Sequence, residues 1–164
     1  MENLEFYWRS LIVPIVVFAP NLLWFLFPPI NILAEDEIKE PIALTILENI
    51  GRIGVIIIPL FYPLVVDNAT SQYCLIAMIV LLLVYYAGWF RFVLKGRIYA
   101  NCFLPLRWIP IPIPMAVCPV MYFILSAVLL KSNPMLIAAL VLAIGHILIS
   151  YRECQRIRKK LKGR

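Results

Sequence analysis

An all-α, polytopic membrane helix bundle of about five transmembrane helices is the fold class this sequence predicts, and three observations predict it. Of the 164 residues, 63% are hydrophobic and the mean hydropathy is +0.92, well above the roughly 45–50% apolar content of soluble domains. The apolar residues are gathered into long runs, whereas the strands of a membrane barrel alternate apolar and polar positions. Lipid offers no partner to an unpaired backbone amide, so helices remain as the spanning elements.

The chain opens on an aromatic entry, Phe6, Tyr7 and Trp8, suited to the headgroup level. Glu2 and Glu5 stand where a signal peptide has basic residues, so no cleavable signal is expected. Span one covers 10–27, close to the ~20 residues a bilayer core requires. Pro14 and Pro20 predict kinks in it, because each proline frees a carbonyl one turn earlier. Asn21 or a neighbouring helix is expected to satisfy such a freed group.

Pro28 and Pro29 stop that helix, and Glu35, Asp36, Glu37 and Glu40 make the next connection acidic. Span two covers 47–66. Its purely apolar part, 53–66, is shorter than the ~20 residues needed to cross. Glu48 and Arg52 are therefore drawn to the membrane boundary or inside it, four residues apart in the favourable order for an ion pair. Thr45, Glu48, Asn49 and Arg52 share one helical face. Gly51 and Gly54 flank the arginine and admit a close helix neighbour.

Asn68, Ala69 and Thr70 spell a glycosylation sequon in a turn too close to the membrane to be a good acceptor. Span three, 73–90, ends in the aromatic belt Tyr85, Tyr86 and Trp89. Arg91, Lys95, Arg97 and Arg107 then make a basic connection. Span four, 110–130, starts within an alternation of isoleucine and proline, 109–114, that predicts extended backbone rather than helix. Ser132, Asn133 and Pro134 start span five, 135–151, which holds the only histidine, His146. The tail, 152–164, carries seven basic residues and one acid. Ile157 and Leu161 let it continue as a basic helix on anionic lipids.

Thirteen of the fifteen lysines and arginines fall on the side of the membrane that holds the tail. The positive-inside rule then places the C-terminus in the cytoplasm and the N-terminus outside, in a multi-pass protein of the cell membrane. The same division brings Glu48, Arg52, Arg91, Arg107 and His146 to one side. With Thr45 and Asn49 they are the candidate ligand-binding residues of a polar, cytoplasmic-facing mouth.

The expected function is non-enzymatic: binding or helping to move a small anionic or amphipathic ligand. With only five spans, a homo- or hetero-oligomeric complex is expected. An accessory, immunity or assembly protein acting through helix contacts is the alternative. A lipid head-group enzyme with His146 as acid or base is a third reading, but no catalytic motif supports it. Cys74, Cys102, Cys118 and Cys154 are scattered singly and match neither a zinc spacing nor a redox pair. No metal, cofactor or nucleic-acid partner is expected, and the net charge of +6 is read as lipid-directed.

Overall fold

The computed structural model describes residues 6–30, 40–106 and 109–162. The acidic run 31–39 and the pair Arg107 and Trp108 lie outside the described residues. The described chain is helical, with six α-helices: α1 (Ile12–Phe18), α2 (Leu23–Leu26), α3 (Ile42–Ile57), α4 (Ala69–Leu94), α5 (Pro114–Leu129) and α6 (Asn133–Lys162). Four stretches are long and apolar enough to cross a membrane: Trp8–Leu26, Ile42–Phe61, Ala69–Leu94 and Asn133–Lys162. The apolar helix α5 is shorter.

Prolines decide where the first stretch departs from α geometry. A 3-10 turn, Ala19–Leu22, separates α1 from α2 and begins around Pro20. Proline at 20 leaves the carbonyl of Val16 without its usual amide donor four residues on. The Tyr86 hydroxyl of α4 donates to that carbonyl at 2.7 Å. Asn21 in the same turn accepts from the Tyr85 hydroxyl at 2.7 Å. Two neighbouring tyrosines thus fasten the kinked helix to α4.

Helix α3 starts earlier than span two of the sequence reading and ends earlier, because Pro59 tightens its last turn into a 3-10 segment, Ile58–Phe61. The chain then runs extended to Asn68, which caps α4. The Asn68 side chain accepts from the Ser71 amide at 2.9 Å, while the Asn68 amide donates to the Ser71 hydroxyl at 3.2 Å. This capping box starts the helix at Ala69. The far end of α4 closes on Gly96 at φ 74°, a left-handed conformation that glycine adopts without a Cβ penalty.

The ends of the helices are tied in two groups. At one end the Tyr7 amide donates to Leu60, the Ser10 hydroxyl to the carbonyl of Tyr62, and the Val65 amide to Leu129, at 2.7–2.9 Å. Lys131 reaches Asp67 at 2.6 Å on the same side, and its hydrogen bond holds the Asp67 carboxyl below the usual carboxylate range. That link is present above this range and is lost on acidification through it. At the other end Ile30 pairs with the backbone of Arg97 and Tyr99, and Arg152 reaches Glu40 at 3.6 Å.

Laterally, the main packing pairs are α3 on α6, α6 on α5, and α5 on α4. Helix α1 leans on α5 and its tyrosine-fastened partner α4. Helix α5 is accordingly the central one, with Cys118, Val120, Phe123, Ser126 and Leu129 at 0–1% exposure. Outward faces are strongly apolar: Ile42, Ile46, Ile50, Ile53 and Ile57 of α3 are all exposed. Apolar exposure on this scale is rare on a water-facing monomer.

Candidate functional site: a cleft beside the α3–α6 seam

Glycines set the register that builds the site. Where α3 crosses α6, a Cβ added at Gly51 would overlap the backbone of Leu142. One at Gly54 would lie 2.7 Å from Ala138 Cβ. From the opposing helix, a Cβ at Gly145 would lie 2.5 Å from the Glu48 nitrogen and 2.7 Å from the Leu44 carbonyl oxygen. The two backbones therefore approach as only small residues permit. Because Gly145 rests on the backbone of Glu48, the next residue, His146, falls at the Glu48 carboxylate.

His146 Nδ1 lies 2.9 Å from Glu48 Oε1. The Arg52 guanidinium, one turn along α3, binds the same oxygen. With Nδ1–H donating to the carboxylate, Nε2 is the histidine atom left to meet a ligand. Side-chain exposure grades outward through the group, 14% for Glu48, 29% for His146 and 43% for Arg52. The carboxylate is thus the covered anchor, and the arginine is the exposed cation.

Arg52 and His146 line a cleft of about 530 Å³, within the range of about 300–1,000 Å³ typical of small-molecule sites. Asn21, Trp24 and Phe25 of the kinked first stretch and Trp89 of α4 also line it. Trp24 lies edge-on to Trp89, with ring centroids 6.4 Å apart, and stacks on Phe92 at 5.9 Å. Met115 of α5 and Ser150 of α6 complete the lining. A lining that combines polar and aromatic side chains suits a ligand with a charged end and an apolar body.

Arg91, Thr45 and Asn49 do not join the Glu48 group. Arg91 reaches no member of the Glu48 group; it donates to the carbonyls of Leu104 at 2.7 Å and Pro105 at 2.8 Å, and to that of Asn101. It holds the connection between α4 and α5 through three backbone acceptors. Lysine lacks the planar fork to span them. Arg91→Lys is therefore expected to loosen that connection, seen as faster proteolysis between 95 and 113 with binding at Arg52 retained. Thr45 and Asn49 are exposed on the outer side of α3. Arg107 lies outside the described residues.

Trp24, Trp89, Met115 and Ser150 are cleft residues that sequence reasoning did not single out as a site. Only Asn21, a polar residue inside an apolar run, carried a local signal. Trp24 sits three residues further on and so shares its face. Cys102 also lines the cleft, but burial pushes its thiol up to about 12, which suppresses nucleophilic character. Among the described residues, no three His, Cys, Asp or Glu side chains gather as a metal site.

No protein-family model, curated protein or solved structure matches the chain.

Proposed function

We propose that this is a multi-pass protein of the cell membrane that binds, or helps to move, a small anionic or amphipathic ligand without chemical conversion, working within a larger complex. The carrying observation is the placement of Arg52: anchored on Glu48, partly exposed, and lining a cleft that Trp24, Phe25 and Trp89 also line. A guanidinium held by a carboxylate is oriented in advance for a second anion. His146 Nε2 adds a group that donates when the ring is protonated and accepts when it is neutral. In the proposed topology the C-terminus is cytoplasmic, supported by the thirteen lysines and arginines assigned to that side. The cleft then opens toward the cytoplasmic half of the bilayer.

Decyl phosphate, an amphipathic anion, tests the reading on protein held in zwitterionic nanodiscs, with the fluorescence of cleft residues Trp24 and Trp89 as the signal. Hydrogen bonds to charged groups contribute about 1.5–3 kcal/mol. Arg52→Gln is therefore expected to weaken binding by about 10-fold to 100-fold. Equal affinity in the variant and the parent overturns the ligand reading and favours a role in assembly through helix contacts.

A further inference from the structure

We infer that the ligand of this cleft is a membrane lipid with an anionic head, taken up sideways from the bilayer between α2 and α3; this rests on the ligand-binding reading above. Three observations on the geometry carry it.

The first is the position of the opening. Phe25, on α2, lines the cleft and is 82% exposed. Arg52, on α3, also lines it and is partly exposed. The cleft therefore has exposed lining on two helices, α2 and α3.

The second is depth. Arg52 lies ten residues into the apolar stretch Ile42–Phe61, or about 15 Å of helix rise. That is about half the thickness of a hydrocarbon core. An opening between helices at that level faces acyl chains, and a ligand already dissolved in the bilayer reaches it directly.

The third is a row of polar groups on the outside of α3. Thr45, Asn49 and Arg52 follow one another at spacings of four and three, so they climb one side of the helix in steps of about 6 and 4.5 Å. Thr45 and Asn49 are exposed beside Ile42, Ile46, Ile50 and Ile53. No side-chain hydrogen bond ties either of them to another described residue. A free amide and hydroxyl on a hydrocarbon-facing surface are costly. Leading from the start of α3 to the cleft, they form a polar track for a head group whose chains stay in lipid.

A free phosphate from the cytoplasm and a phospholipid head share the chemistry that Arg52 recognises, so the test separates these sources. Protein is reconstituted in nanodiscs of phosphatidylcholine with phosphatidylglycerol, and retained lipid is counted by native mass spectrometry. Inorganic phosphate and glycerol 3-phosphate serve as soluble competitors. Retention of phosphatidylglycerol at least tenfold over phosphatidylcholine is expected, with loss in Arg52→Gln. The double variant Thr45→Val, Asn49→Leu alters only exposed side chains. It is expected to slow the exchange of bound phosphatidylglycerol about tenfold, with the elution profile unchanged.

Unchanged exchange in that variant overturns the track. Arg52-dependent binding of the soluble anions without lipid retention overturns the lipid assignment and leaves the cleft reading standing. Binding of neither class of anion removes both.

Discussion

Gly145→Val is expected to abolish the folded protein. The new Cβ would meet the Glu48 nitrogen at 2.5 Å and the Leu44 carbonyl oxygen at 2.7 Å, and backbone atoms in mid-helix do not rotate away. Overpacking typically costs about 1–3 kcal/mol, and more where the obstacle cannot relax. A loss above about 3 kcal/mol, read as collapse of monodisperse yield in detergent, is the expected outcome. Gly88→Ala supplies the contrast. Its Cβ meets Met115 Cγ at 2.6 Å and Sδ at 3.2 Å, the flexible part of an adaptable side chain. A change below about 1 kcal/mol is expected there. Equal behaviour of the two variants would mean that the α3–α6 seam is not the closest contact in the bundle.

Glu48→Ala has the second large effect, and it acts on stability and binding together. Removing one partner of a fully buried ion pair costs about 3–5 kcal/mol, because the other charge is left unpaired. Arg52 is 43% exposed and can turn toward water or head groups, so a loss of about 1–2 kcal/mol is expected here. Ligand affinity falls further, since Arg52 and His146 lose the atom that orients both. Glu48→Gln keeps an acceptor oxygen for Arg52 and His146 but removes the charge. It is expected to unfold close to the parent in chemical denaturation while losing much of the decyl phosphate affinity. If both variants bind as the parent does, the carboxylate has no part in positioning Arg52.

The helical architecture was legible because long apolar runs and prolines act locally. The runs mark helices, and Pro20 and Pro59 mark where α geometry tightens into 3-10 turns. The Glu48–Arg52 pair was legible for the same reason, since a spacing of four brings two side chains together on any helix. The partner of Glu48 on α6 was not. Its identity depends on how far one helix slides along another, which Gly51, Gly54 and Gly145 settle jointly across nearly a hundred residues of chain.

Arg91 shows the opposite difficulty. Its charge pointed to the mouth, whereas the carbonyls of Asn101, Leu104 and Pro105 lie nearer in the folded chain. A fork of donors takes the acceptors that a turn presents, and the turn has no signature beyond its prolines. The aromatic lining was equally hidden. Trp24 and Trp89 meet where the first stretch is fastened to α4 by Tyr85 and Tyr86.

That fastening also bears on how the chain is made. Pro20 leaves the Val16 carbonyl open from the moment the first helix leaves the ribosome, and Tyr86 lies 70 residues downstream. Until α4 has been synthesised and inserted, the chain itself offers that carbonyl no such donor.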